Sequence, residues 1–215
     1  MVVSRTPLAD KSVRDLLAAF ASADPTPGGG SASALASAVG VSLLMMVASL
    51  QKTRSGSDED RAALVAAAAS LGDVQQQLVQ AIDADAAAYD QVVAAYKQPK
   101  GSEFEQATRT AAIQRALRGA AAVPLDVMRL SALALSQAEA VAAHGHRAAA
   151  SDAGVALALL RAGFDGARLN VDANLRQLTD AAHKDEVTAE VARLSRNARA
   201  SIEAAERSLG AGFKA

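Results

Sequence analysis

PTPGGGSASALASAVGVSLLMMVASL, residues 25–50, decides how the rest of the chain is read. Three consecutive glycines follow a Thr-Pro, and the twenty residues from Ser31 to Leu50 carry no charge. Taken as a helix beyond Gly30, the stretch has a large apolar stripe at Leu35, Val39, Leu43, Met46 and Leu50. A second stripe is small: Ser33, Ser37 and Gly40, with Ala36 beside it. Small side chains let neighbouring backbones approach, so the pattern predicts a core helix enclosed on all sides. Its N-terminus opens on a loop without side chains, where free N–H groups and the positive end of the helix dipole suit an anion. Two plainer readings compete. Gly-Gly-Gly serves as a flexible connector in many chains, and an uncharged run this long also fits a membrane span. The Ala- and Ser-rich composition, the lack of flanking aromatics and the absence of a second such run argue against a membrane. The triple glycine is neither GxGxxG nor GxxxxGK[ST], and no strand precedes it.

Outward from this stretch, composition bounds the fold. The 215 residues suffice for a single domain, 1–215, with a sizeable core. A net charge of -1 argues against nucleic acid as a partner. The chain has no cysteine, which excludes disulfides and thiol catalysis. Met1–Lys11 lacks the apolar core of a secretory leader, so a soluble cytoplasmic protein is expected. Aromatics are 3% and alanine abounds while β-branched runs are scarce, which predicts an all-α bundle with a central buried helix and one long helix.

The remaining helices follow from caps and stripes. Ser12 and Asp15 cap a short helix that buries Leu16, Leu17 and Phe20. Gln51–Gly56 is a polar break. Ser57, with Asp58, Glu59 and Asp60 in the first turn, caps a long helix striped by Leu64, Leu71, Leu78, Ile82, Tyr89, Val92 and Tyr96 and ended by Pro99. Roughly 40 residues make a rod of about 60 Å. A second helix hairpin or a partner must cover its far end, so a homodimer or higher homo-oligomer is expected. Ser102 and Glu105 form a capping box. Pro124 interrupts the next pattern, which resumes through Val127, Leu130 and Leu133 to about Ala143. His144-Gly145-His146 reads as a C-cap and turn. Ser151 and Asp152 open a helix whose Gly154, Gly163 and Gly166 predict close packing. Val187, Val191, Leu194, Ile202 and Leu209 stripe the last.

Some residues break these patterns. The seven-residue step through Leu64, Leu71 and Leu78 lands on Asp85 and then Val92, so a carboxylate occupies an apolar position. Burial raises a carboxyl pKa and suits it to acid–base work near neutrality. The same position fits a carboxylate that caps a crossing helix or pairs with an arginine inside an oligomer. Asp83 falls on another face and reads as solvated. Asn170 and Asn174, four apart, point to one side of a helix, where two amides bind a planar heterocycle or each other. Of the cations Lys97, Lys100, Arg109, Arg115 and Arg118, most form a solvated face, and Lys100 after Pro99 is best placed for a ligand. His144 and His146 are too poorly convergent for a metal, and no third ligand is near in sequence.

TPGGGSASAL at 26–35, MV-x-x-L at 46–50, D-x-D-A-x-A-Y at 83–89, AYKQPK at 95–100, VPLDV at 123–127, SDAGVAL at 151–157 and NVDANL at 170–175 follow in order. This series resembles the cyclodeaminase/cyclohydrolase family, which includes the cyclodeaminase half of formiminotransferase-cyclodeaminase and stand-alone methenyltetrahydrofolate cyclohydrolases. The resemblance implies an all-α subunit that dimerises through helices and binds tetrahydrofolate. The implied reaction is closure of 5-formiminotetrahydrofolate to 5,10-methenyltetrahydrofolate with loss of ammonia, or hydration of the methenyl compound to the 10-formyl derivative. Neither needs a metal or a redox cofactor. On this reading Asp85 is the acid/base and Asp152 a second carboxylate. Arg54 and Lys100 hold the glutamate tail. The Gly28, Gly29 and Gly30 amides with Ser31 hold an oxygen of the ligand, and Asn170 and Asn174 bind the pterin edge. Two places depart from the family pattern. Thr53-Arg54-Ser55-Gly56-Ser57 replaces Gly-Lys-Lys-Lys-Tyr, and Gly145-His146-Arg147-Ala148 replaces Gly-Asn-x-Asn. They favour the alternative of a catalytically altered folate- or anion-binding helical homo-oligomer. A purely structural oligomer is the third reading.

Overall fold

A computed structural model describes residues 6–213 of the chain. The ends of the 1–215 span, including the first five residues of Met1–Lys11, lie outside them. Among these residues six α-helices make the fold: α1 (Val13–Phe20), α2 (Gly29–Ala48), α3 (Asp58–Tyr96), α4 (Glu103–His144), α5 (Ala150–Leu175) and α6 (Ala181–Phe213). Among the described residues there is no strand, only an isolated bridge from Thr53 to Gly145.

Three of the helices begin on the predicted caps. The side chains of Ser12, Ser57 and Ser102 accept the N–H three residues on, and Glu105 closes the capping box. α1 buries Leu16 alone; Leu17 is 61% exposed, contrary to the expected face, because only one edge of this two-turn helix meets the bundle.

α2, α3, α4 and α5 form the bundle, each antiparallel to the one next to it in sequence, and α5 also packs antiparallel on α2. Gly29 lies beside Asn170, Ser37 beside Gly163, and Gly40 beside Ala156 and Leu160. Here the small stripe decides the packing. A Cβ on Gly163 would stand 2.0 Å from Ser37 Oγ and 2.7 Å from the Ser33 carbonyl, so the two backbones touch. The buried hydroxyls are satisfied: Ser33 Oγ donates to Gly29 O at 2.6 Å, and Ser37 Oγ and Ser131 Oγ pair at 2.7 Å. Gly154, read with Gly163 as a packing device, faces open space.

This inverts the expected faces of α2. The helix is not enclosed on all sides: its large stripe is the open one, with Val39 43% and Met46 40% exposed and Leu35 and Leu43 half-buried. Close α2–α5 contact selects small residues on that face; Val41, Leu44 and Val47 fill the rest of the buried side, which leaves Val39 and Met46 outward. α2 and α4 are each long and apolar enough to cross a membrane by length and composition, yet both are core helices of the bundle.

α3 buries Leu64, Leu71 and Leu78 completely, but Tyr89 and Tyr96, expected on the buried stripe, are nearly half exposed because α2 ends before them. α4 covers this far end, where Arg109 donates to Tyr96 O and lies 5.6 Å from its ring centre. Pro124 does not interrupt α4, which runs through it unbroken. Proline lacks the N–H that would bond four residues back. The carbonyl thereby left without a helical donor, Ala120 O, accepts Asn174 Nδ2 at 2.9 Å.

At the other end of α2, Asp60 joins three segments. It accepts from Ser55 N and Ser55 Oγ, both at 2.7 Å, and pairs with His144 Nδ1 at 2.7 Å. The His144 contact first, then the Ser55 bonds, hold its carboxyl well below the usual range. Gly56 makes the turn with φ 77°.

Candidate active site

The triple glycine starts α2 without a capping side chain, since Gly28 occupies the N-cap. The cap comes instead from Asp85 on α3. Ser31 N donates to Asp85 Oδ2 at 2.8 Å; Ser31 Oγ lies 3.2 Å from the same oxygen and 2.8 Å from Ile82 O. A Cβ on Gly30 would fall 2.0 Å from Asp85 Oδ1, so the carboxylate lies directly against the glycine backbone. Only a glycine there admits it. Asp85 is half-buried, and this burial raises its pKa against the opposing pull of the Ser31 hydroxyl and N–H. Oδ1 accepts no hydrogen bond among the described residues, nor is it sealed from solvent. One oxygen is thus fixed and the other free. That is the arrangement of a positioned acid or base, and also that of a carboxylate capping a crossing helix.

Asp83 is not solvated as expected. It accepts from Leu8 N at 2.6 Å and Ala9 N at 3.2 Å, tying the N-terminal segment to α3. A cavity of about 760 Å³ lies on this flank of α3, lined by Leu8, Thr26, Pro27, Asp83 and Asp90. Another of about 540 Å³ lies between α3 and α4, lined by Ala88, Gln91, Gln98, Arg115 and Gly119. Asp85 stands on the stripe between the two and lines neither.

Asn170 packs on the same helix start: a Cβ on Gly29 would be 3.3 Å from its Nδ2, which donates to Gly166 O at 2.8 Å. Asn174 is one turn further along α5. One end of α2 therefore gathers Gly28, Gly29, Gly30, Ser31, Asp85 and Asn170, with Asn174 adjacent.

Arg54, Asp152 and Lys100 are not brought there. The 20 residues of α2 span about 30 Å, and Arg54 follows its far end. Its Nη2 donates to Ala142 O at 2.6 Å and its backbone N–H to His144 O at 2.8 Å, so the guanidinium finishes the C-terminus of α4. Asp152 is in the first turn of α5, at that same end. Lys100 is exposed in the turn from α3 to α4, beyond Tyr96.

Tyr89, assigned to the core from its stripe, stands one turn past Asp85 on the same side of α3 and is 43% exposed, a neighbour that the i, i+4 spacing made readable. The Asp60–His144 pair had no readable signal, since 84 residues separate its members.

The family model described as formiminotransferase-cyclodeaminase matches residues 12–193. A methenyltetrahydrofolate cyclohydrolase from Methylorubrum extorquens is 36% identical over 177 residues, covering 82% of this chain and 85% of that protein. The formimidoyltransferase-cyclodeaminase of Rattus norvegicus is 30% identical over 192 residues; the match takes in 89% of this chain and 36% of that longer relative. The crystal structure of formiminotetrahydrofolate cyclodeaminase from Thermotoga maritima superposes with a TM-score of 0.83 at 25% identity, over 94% of this chain and 97% of the other.

Proposed function

The chain belongs to the formiminotransferase-cyclodeaminase family of folate cyclodeaminases and cyclohydrolases, and on that premise we propose that it hydrates 5,10-methenyltetrahydrofolate to the 10-formyl derivative, with Asp85 as the acid/base. The cyclohydrolase relative supports water as the nucleophile: it matches along most of its own length at 36% identity. Formiminotetrahydrofolate cyclodeamination is the second reading, supported by the likeness to the Thermotoga maritima enzyme. Both reactions draw on one acid/base set.

The observation that carries the proposal is the Asp85 carboxyl, held at Oδ2 by Ser31 and open at Oδ1 over Gly30. In hydration, Oδ1 takes a proton from water as its oxygen bonds to the methenyl carbon. The carbon–N5 bond then breaks, the proton passes to N5, and the adduct hydroxyl loses its own proton to give the formyl group. In deamination, N10 attacks the formimino carbon and loses its proton, and the departing nitrogen gains one and leaves as ammonia. A raised pKa suits both directions of transfer. Ring closure is intramolecular, so positioning supplies much of its rate.

The Gly28–Gly30 amides and Ser31 would hold a ligand oxygen, and Asn170 and Asn174 the pterin edge. Arg54 and Asp152 join this site through a second copy. The open stripe of Leu35, Val39, Leu43 and Met46 supports a homodimer, or a higher homo-oligomer, that pairs two α2 helices antiparallel. Such a pairing sets the partner's Arg54 beside the Gly28–Gly30 turn, where it meets the glutamate tail. We place the enzyme in the cytoplasm.

The test is Asp85→Asn, followed through the methenyl chromophore. Turnover should be abolished with circular dichroism unchanged. A fully active Asp85→Asn enzyme removes Asp85 from the mechanism, and a wild-type protein that turns over neither substrate removes the proposed activity.

A further inference from the structure

Pro124 is buried in the interior of a 42-residue helix, where it deletes one backbone donor. The acceptor left behind, Ala120 O, takes Asn174 Nδ2 at 2.9 Å. A carbonyl oxygen only accepts, so this contact fixes which end of the amide is nitrogen. Asn170 is fixed by the same logic, because its Nδ2 donates to Gly166 O at 2.8 Å. Both asparagines are left with Oδ1 uncommitted among the described residues, and neither oxygen is sealed from solvent. The two lie at i and i+4 on one side of α5, with Asn170 against Gly29 at the helix start that carries Asp85.

We infer that Pro124 is a positioning residue: by removing a helical donor it commits the Asn174 amide to Ala120 through Nδ2, so that Asn170 and Asn174 each keep a free carbonyl oxygen for a ligand. Two such acceptors favour a hydrogen-bond-donating edge. Resting on the folate reading, this edge is the 2-amino group and ring N–H of the pterin.

The experiment compares binding of 5-formyltetrahydrofolate and its 2-desamino-2-methyl counterpart to wild type, Pro124→Ala and Asn174→Leu. Each lost hydrogen bond to the amino group should cost roughly tenfold in Kd, so wild type should prefer the 2-amino ligand by at least about that factor. In Pro124→Ala, residue 124 regains its N–H, Ala120 O regains its helical donor, and Asn174 is released to turn. Its Tm should equal or exceed that of wild type while the preference falls several-fold. A residue with a merely structural role would not move the preference while leaving the fold intact. Asn174→Leu, with Pro124 kept, should lose the preference at a lower Tm. Wild-type preference retained in both variants overturns the inference, as does wild type binding both ligands equally. Wild type binding neither ligand overturns the folate reading and this inference with it.

Discussion

Gly30→Ala probes the site with a single carbon atom. The added Cβ would stand 2.0 Å from Asp85 Oδ1, 2.4 Å from its Cγ and 2.6 Å from Oδ2. Real carbon–oxygen contacts do not close below 3 Å, so the carboxylate must withdraw by ~1.4 Å to reach ordinary contact. Withdrawal breaks its 2.8 Å bond from Ser31 N. Losing a helix cap costs about 1 kcal/mol. Replacing glycine by alanine in a helix returns up to about 1 kcal/mol. The two nearly cancel, and Tm should stay within about 4 °C of wild type for a chain this long. Displacing a catalytic group by about 1 Å costs on the order of a hundredfold in rate. Stability and activity should therefore separate. Differential scanning calorimetry reads the first and the methenyl chromophore the second. Gly72→Ala is the control, since a Cβ there meets nothing within 4 Å. A Gly30→Ala enzyme with wild-type kcat, or one whose activity falls only in step with unfolding, would refute the reasoning.

Three further outcomes follow from the packing. Gly163→Ala forces a Cβ to 2.7 Å from the Ser33 carbonyl and 2.9 Å from Ser37 N, both backbone atoms; it should destabilise by about 2–4 kcal/mol in urea unfolding, and wild-type stability would contradict the α2–α5 contact. Asp60 has a folded pKa below its ordinary 3.8, so its stabilisation is complete above that pH and is lost as pH falls through the folded value. Asp60→Asn should therefore lower Tm at pH 7 and flatten its fall below about pH 4; equal Tm–pH curves would dismiss the His144 contact as a stabiliser. Leu43→Glu, on the open stripe of α2, should halve the mass seen by light scattering, and a monomeric wild type would remove the proposed dimer.

What the sequence disclosed, and what it hid, divides by range. Ser12, Ser57 and Ser102 were readable because a cap bonds three residues away. Asp85 was readable because a charge on a seven-residue apolar step stands out whatever surrounds it. Its partner, the N–H of Ser31, is 54 residues distant, so the choice between a capping carboxylate and a pocket carboxylate was not readable. The faces of α2 were misread for a different reason. Hydrophobicity ranks Leu and Met as the inward residues, whereas an α2–α5 crossing at backbone contact is decided by volume, and Ser33, Ser37 and Gly40 win. Pro124 looked like a break because its compensating donor, Asn174, arrives from another helix. The place of Arg54 at the end of α4 was not readable, since the carbonyl that engages it lies 88 residues on.

The most direct test of the central claim is the titration of the Asp85 carboxyl itself, by carbon-13 NMR of protein labelled at aspartate and assigned with Asp85→Asn. The account predicts a midpoint above the ordinary 3.8 that coincides with the acid limb of kcat/KM. A midpoint at or below 3.8, or an acid limb that Asp85→Asn leaves in place, would contradict it.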